Sequence, residues 1–164
     1  MAGLDCLKKR RSVPLSGRYF PLDAPFKIDP KSGVLTFARL ALTLSPKQPL
    51  EAFLATDPGA RAKDGGGNGG WQRYHLGQDL GDGRALAVSL FFFNACLAIV
   101  RFGYGPESAF SWSGWSEGRE VARAVDYQIE IARQLGRRGR FPWGVADAAY
   151  DDKTAWATLF VKYE

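Results

Sequence analysis

The sequence predicts an α+β protein: a mostly antiparallel, twisted β-sheet with one long amphipathic helix, about residues 116–135, packed on one face. Short segments rich in aromatic and β-branched residues recur between turn signals along most of the chain. One long segment repeats apolar residues at helical spacing. Strands are predicted on both sides of this helix rather than alternating with several helices, and this order favours antiparallel pairing.

The composition is that of an ordinary globular domain, with 164 residues, 46% hydrophobic and 24% charged. Residues 1–25 are rich in Lys, Arg, Pro and Ser and show no periodicity. We therefore expect an irregular N-terminal arm before a single α+β domain over residues 26–164. The longest apolar segment, residues 85–100, is short for a membrane span. No apolar segment follows the first basic residues, so we expect no secretory signal and a cytoplasmic location.

The first half of the chain predicts short strands and one short helix. Residues 34–37 and 40–44 have the composition and length of strands. A short helix is expected near residues 49–55, because its apolar positions share one helical face. Pro58 and Gly59 are expected to end it.

The most strongly β part of the sequence predicts a hairpin, residues 84–92 and 96–102, with its turn at Asn94 and Ala95. Because both segments are apolar on both faces, we expect them at the centre of the sheet. One continuous buried helix is the alternative, but the Phe, Val and Ile content favours strands. A second hairpin is expected over residues 145–163.

The long helix has predicted ends and a predicted apolar face. Ser113 or Ser116 can cap its N-terminus, and Gly136 is typical of the position just past a helix C-terminus. We expect the apolar face to follow one row that steps by four, together with the rows beside it: Val121, Val125, Ile129, Ala124, Gln128, Ile131 and Leu135.

Motifs for known chemistry are few. His75 is the single histidine, which excludes sites made of histidine pairs, and there is no Gly-x-Ser-x-Gly segment. The glycine-rich residues 65–70 precede a strand rather than Gly-Lys-Ser and a helix, so we expect a surface loop instead of a phosphate site. Neither Cys6 nor Cys96 lies in a metal-type pair. We expect no metal, no cofactor and no enzyme activity; a Cys96–His75 nucleophile pair stays open as an alternative.

Carboxylates supply the main catalytic alternative. Glu117 and Glu120 share the first turn of the helix, and Asp147, Asp151 and Asp152 cluster near a turn. Paired carboxylates can serve glycoside hydrolysis or hold divalent cations. The simpler interpretation is a helix N-terminus, where carboxylates suit the helix dipole, and an ordinary Asp-rich turn. A small enzyme that uses these carboxylates is therefore the second hypothesis.

The charge of the chain raises a third hypothesis. The net charge is +5, the isoelectric point is about 9.4, and basic runs occur at residues 8–11 and 133–140. Such runs can mark a nucleic-acid-binding surface. Neither run is interleaved with aromatic residues or set in a known nucleic-acid motif, so we expect no nucleic-acid partner.

Tryptophans near the helix predict a contact surface. Trp112 and Trp115 precede the helix, and Trp143 precedes the last hairpin, so the three rings can meet around one helix end. Such a group is either a small aromatic core or a patch that binds a partner.

Two segments resemble a group of short proteobacterial proteins. They are residues 112–120, which read Trp-Ser-Gly-Trp-Ser-Glu-Gly-Arg-Glu, and residues 141–144, Phe-Pro-Trp-Gly, followed by Tyr150 and Asp151. Some members of the group look like immunity proteins of contact-dependent or type VI secretion toxins. The resemblance covers about residues 71–164. It implies a protein partner, such as a cognate toxin, and carries over no catalytic residue.

Together these observations predict a protein-binding module whose acidic residues can meet a basic partner surface, with a tryptophan as anchor. The predicted partner-binding residues are Trp112, Trp115, Glu117, Glu120, Trp143, Asp147, Asp151 and Asp152.

Overall fold

The computed structural model describes residues 24–164. The irregular arm predicted for residues 1–25, with Cys6 and the first basic run, lies almost wholly outside the described residues. The described part forms two antiparallel sheets and three α-helices. The strands are β1 (Lys27–Ile28), β2 (Leu35–Phe37), β3 (Leu42–Leu44), β4 (Lys63–Asp64), β5 (Trp71–Asp79), β6 (Arg84–Phe93), β7 (Cys96–Pro106), β8 (Gly139–Phe141), β9 (Gly144–Asp151) and β10 (Trp156–Tyr163). The helices are α1 (Leu50–Leu54), α2 (Asp57–Arg61) and α3 (Glu117–Leu135).

The larger sheet has seven strands in the order β4-β5-β6-β7-β10-β9-β8, and all neighbours are antiparallel. The predicted first hairpin, β6 and β7, lies inside this sheet between β5 and β10. Asn94 and Ala95 at its turn have φ angles of 48° and 61°, the left-handed conformation that a two-residue hairpin turn of type I′ requires. The predicted second hairpin is confirmed as β9 and β10.

The smaller sheet, in the order β1-β2-β3, covers one side of the larger sheet, which we call the inner face; the other side is the outer face. Phe26 and Phe37 lie edge-on against Phe102 of β7, with ring centroids 4.8 and 5.0 Å away. Phe53 of α1 lies against Phe92 of β6 at 5.6 Å. These rings belong to one cluster of buried residues, so the N-terminal part of the described chain closes the inner face.

The short helix predicted near residues 49–55 is confirmed as α1, but α2 was not predicted. Thr56 caps α2, because its Oγ1 accepts the backbone N–H of Gly59 at 3.0 Å. Pro58 lies in the first turn of α2, where a backbone N–H has no partner within the helix, so the N–H that proline lacks is not needed. The Pro58–Gly59 pair therefore belongs to a new helix instead of only ending the previous one.

The long helix α3 has the predicted ends. The side chain of Ser116 accepts the backbone N–H of Arg119 at 3.3 Å, and Gly136 ends the helix with a φ of 76°. The helix packs against β9 and β10. No described helix has the length and apolar character needed to cross a membrane.

The predicted apolar face of α3 is wrong in the row that steps by four, although Ala124, Ile131 and Leu135 of the adjoining rows are buried as expected. Val121, Val125 and Ile129 are 45, 50 and 63% exposed. The buried line of the helix is rotated away from them and consists of Glu120, Ala124, Tyr127, Ile131 and Leu135. Two of these side chains, Glu120 and Tyr127, are polar. Apolar spacing alone missed Glu120 because it assigns a glutamate to the solvent side.

The side chains of Glu120 and Tyr127 fill a gap where β7 and β10 separate. These strands pair only between Phe102–Leu159 and Ile99–Lys162. Beyond that point the hydroxyl of Tyr127 donates to the carbonyl of Tyr104 at 2.5 Å and accepts its N–H at 2.8 Å. Glu120 Oε2 accepts the N–H of Ala157 at 2.9 Å. Side chains of α3 thereby pair backbone groups that the neighbouring strand does not reach, as buried polar groups require.

Candidate functional site

Three indole rings meet at the N-terminal end of α3. The ring centroid of Trp112 lies 6.0 Å from that of Trp115 and 5.4 Å from that of Trp156. We call these three residues the tryptophan cluster. Trp112 is 69% exposed, more than any other large hydrophobic side chain in the described part of the chain. The cluster is therefore a surface feature and not a small buried core.

The backbone around the cluster is held in place by hydrogen bonds. Trp115 Nε1 donates to the carbonyl of Ala155 at 2.7 Å. Ala155 lies in the turn between β9 and β10, where its φ is 61° and its N–H donates to the carbonyl of Asp151 at 2.7 Å. Because Trp115 ties this turn to the segment before α3, the site that carries Trp112 is preorganised.

Carboxylates lie on the two segments of chain that meet at the tryptophan cluster. Glu117 begins α3, and Asp151 and Asp152 begin the β9–β10 turn; we call these three residues the acidic edge. Desolvation, and next to it the negative charges of Glu117 and Asp152, raise the pKa of Tyr150. The carboxylates of the helix start and of the turn therefore both act on the phenol of Tyr150.

Three residues predicted for this site lie elsewhere. Glu120 is only 1% exposed and forms an ion pair with Arg123 at 2.8 Å, so its role is internal. Asp147 lies on the outer face of the large sheet, 2.9 Å from the guanidinium of Arg138. The third, Trp143, does not join the other tryptophans at all.

Trp143 is part of the core near the β8–β9 turn. Its ring stacks on Phe141 with centroids 4.9 Å apart and an interplanar angle of 4°. Its Nε1 donates to the carbonyl of Pro30 at 3.1 Å. Trp156 takes its place in the cluster. The alternation along β10 separates Trp156 from the buried Ala157 and Leu159, but it does not place Trp156 in the cluster.

The structure does not form the Cys96–His75 pair. His75 Nδ1 lies 2.9 Å from Ser89 Oγ, its cross-strand neighbour. Cys96 is exposed and pairs with Phe93 of β6. Phe93 comes four residues after Ser89, so at the usual rise of a strand Cys96 lies roughly 13 Å along the sheet from His75. Burial, and then the charge of Arg73, lower the pKa of His75. Among residues 24–164, no group of three or more His, Cys, Asp or Glu side chains is placed to hold a metal ion.

The glycine-rich residues 65–70 link β4 to β5. With Asn94 and Ala95, residues 66–70 of this segment line a shallow cleft of about 550 Å³. The carboxylate of Asp64 already accepts the N–H of Gly66 at 2.7 Å. A carboxylate at this position repels phosphate, so the cleft does not provide a phosphate-binding loop.

The second basic run is largely neutralised by nearby carboxylates. Three of its arginines form ion pairs, at 2.6–2.9 Å, with one carboxylate each: Arg133 with Glu130, Arg138 with Asp147, and Arg140 with Glu164. This run is therefore not a free strip of positive charge.

Comparison with protein-family models, curated proteins and solved structures finds no match for this chain. The resemblance to immunity-type proteins thus stays a prediction, and the argument for function rests on the site itself.

Proposed function

We propose that the chain is a non-catalytic, cytoplasmic protein-binding module that neutralises a cognate bacterial toxin, as an immunity protein does. The observation that carries the proposal is the exposure of Trp112, 69% of whose surface meets solvent although its ring is packed against two other indoles. A large apolar ring left at a surface marks a contact site, and tryptophan is enriched among the residues that dominate binding energy.

The surroundings of Trp112 favour a protein partner with a basic surface. The ring is already held by Trp115 and Trp156, so binding orders little that was free before. The acidic edge beside it attracts positive charge and would repel a nucleic acid. Further along α3 than Glu117, the exposed side chains of Val121 and Val125 offer additional apolar area.

The test is binding of the full chain to the product of each neighbouring gene, measured by isothermal titration calorimetry in roughly 0.5 M NaCl, where exposed charges are screened. Trp112→Ala is expected to weaken binding at least about thirtyfold, as loss of a central anchor does. The matched control is Phe93→Ala, which removes an exposed aromatic ring elsewhere on the sheet and should leave the affinity unchanged.

A triple variant separates the role of charge. Glu117→Gln, Asp151→Asn and Asp152→Asn together are expected to slow association about tenfold at low salt and much less at high salt. The proposal fails if no neighbouring product binds, or if a partner binds Trp112→Ala as tightly as the unaltered chain.

A further inference from the structure

The outer face of the seven-stranded sheet carries a row of alternating cationic and apolar side chains. One cross-strand row runs through β5, β6, β7, β10, β9 and β8 and consists of Arg73, Phe91, Ile99, Lys162, Val145 and Arg140. Cations stand at both ends and near the middle. At the usual strand spacing, Arg73 and Lys162 lie about 14 Å apart.

A second row runs beside the first. It consists of Lys63, His75, Ser89, Arg101, Phe160 and Asp147. The two rows together, which we call the outer rows, hold five Lys and Arg residues against one carboxylate, and among the described residues only one of the five, Arg140, forms an ion pair, with Glu164. The one carboxylate of the rows, on Asp147, is paired with Arg138. The outer rows are therefore strongly basic.

The outer rows are open to solvent. Each of their residues is half-buried or exposed. The inner-face row between them is different, since Leu90, Val100, Val161 and Ala146 are all buried. No described element covers the outer rows in the way that the smaller sheet covers the inner face.

The central cations of the outer rows are not neutralised within the described part of the chain. No described carboxylate forms an ion pair with Arg73, Arg101 or Lys162. Arg73 donates to the carbonyl of Gly65 at 2.8 Å, and the guanidinium of Arg101 lies over the ring of Phe91 at 5.5 Å. These contacts hold the Arg73 and Arg101 side chains in place without neutralising their positive charges, which suits both residues to bind an anion.

Aromatic rings stand among these cations. Phe91 and Phe160 belong to the outer rows, and Trp71 and Phe93 extend them towards the hairpin turn, with ring centroids 4.9 Å apart. Trp71 and Phe93 are 38 and 42% exposed. An open antiparallel sheet with aromatic faces between basic side chains is a platform on which unpaired bases stack while the cations meet the phosphates.

We propose that the outer rows bind single-stranded nucleic acid. The pattern fits unpaired bases better than a duplex, whose stacked bases expose no ring face to Phe160. It also fits them better than an anionic membrane, because Phe91 and Phe160 are half-buried among the cations and leave little apolar surface to enter a lipid layer. This surface differs from the tryptophan cluster, so the proposal goes beyond the protein-binding function.

The test is fluorescence anisotropy of labelled oligo(dT) and oligo(U) with the full chain, from about 50 to 200 mM salt. Substituting three cations of the outer rows (Arg73→Gln, Arg101→Gln and Lys162→Gln) is expected to weaken binding at least tenfold and to lower the salt slope by about two. The matched control removes three exposed cations on and near the smaller sheet, Lys27→Gln, Arg39→Gln and Lys47→Gln. It should change binding less than about threefold.

A second pair of variants tests stacking. Phe160→Leu keeps an apolar side chain but removes the ring, and binding is expected to weaken at least about fivefold while the urea midpoint of unfolding stays close to that of the unaltered chain. Phe110→Leu, which removes a partly exposed ring outside the outer rows, is the control. Trp112→Ala should bind the oligonucleotides normally, which separates this proposal from the protein-binding one.

Four results would overturn the proposal: no binding of either oligonucleotide at low salt, equal losses in the two triple variants, tighter binding of duplex DNA, or tighter binding of phosphatidylserine vesicles that the outer-row variant abolishes. The last result would assign the outer rows to a membrane surface.

Discussion

The carboxylate of Glu120 in α3 accepts the backbone N–H of Ala157 in β10 at 2.9 Å. The same carboxylate forms an ion pair with Arg123, one turn along the helix. A buried charge is tolerated when hydrogen bonds and an opposite charge surround it, and here both are present. Glu120 therefore fixes the position of α3 on the sheet, close in the chain to Trp112 and Trp115 of the tryptophan cluster.

Removing this carboxylate should destabilise the protein. Glu120→Ala leaves the N–H of Ala157 without its acceptor and Arg123 without its counterion, so we expect a loss of about 2–4 kcal/mol in the free energy of unfolding. Urea unfolding measures it, with an unchanged m-value. Glu117→Ala is the control, since Glu117 is exposed on the first turn and should cost less than about 0.5 kcal/mol. Equal losses would contradict the assigned role.

Buried tyrosines should make the fold sensitive to alkaline pH. Burial raises the pKa values of Tyr104, Tyr127 and Tyr163 above the ordinary value of 10.0. A raised pKa in the folded state means that the stabilisation is complete below pH 10 and is lost as the pH rises, because the unfolded chain releases these protons first. Each phenol should contribute a slope of about 1.4 kcal/mol per pH unit above that point.

The measurement is the urea midpoint between about pH 9 and 11.5, together with tyrosinate absorbance of the folded chain. Tyr127→Phe should give a smaller slope, and it should also unfold more easily at neutral pH, since Tyr104 loses the hydroxyl that pairs its N–H and carbonyl. Full titration of the folded chain near pH 10, with no fall in the midpoint, would refute this explanation.

The exposed and buried rows of α3 should respond differently to substitution. Val125→Lys and Ile129→Lys alter solvent-facing positions, and we expect each to change the free energy of unfolding by less than about 0.5 kcal/mol. Ile131→Ala, which opens a cavity in the core, should cost about 2–4 kcal/mol. Thermal unfolding of the three variants tests this. A large loss in Ile129→Lys would show that the predicted row, and not the observed one, faces the sheet.

The turn of the first hairpin should be improved by glycine. Ala95 has a φ of 61°, a conformation that costs an L-residue about 1 kcal/mol and costs glycine little. We expect Ala95→Gly to stabilise the protein by up to about 1 kcal/mol. The control is Ala87→Gly on the outer face of β6, where extended backbone should make glycine destabilising by about 0.5–1 kcal/mol. Stabilisation by both variants, or by neither, would count against the turn geometry.

Local signals in the sequence were sufficient for much of the fold. The Asn94-Ala95 turn, the ends of α3 at Ser116 and Gly136, and the alternation along β10 are set by neighbours within a few residues, so they could be predicted. The separate smaller sheet and the edge strand β8 could not, because both depend on contacts with distant parts of the chain.

The site was predictable only in part, for a related reason. Trp112 and Trp115 flank the helix start and were found, whereas Trp156 reaches them only through the packing of β10. Glu120 has the sequence context of a surface carboxylate, and the separation of β7 from β10 gives it an internal partner. The outer rows are invisible along the chain because Arg73, Arg101 and Lys162 come together only across strands.

The central claim is that Trp112 is the anchor for a protein partner, and hydroxyl-radical footprinting of the free and partner-bound chain tests it most directly. Trp112 should be oxidised readily in the free chain and be protected at least about fivefold in the complex, whereas the buried Trp143 should react slowly in both states. A complex that forms while Trp112 is oxidised as fast as in the free chain would contradict the claim.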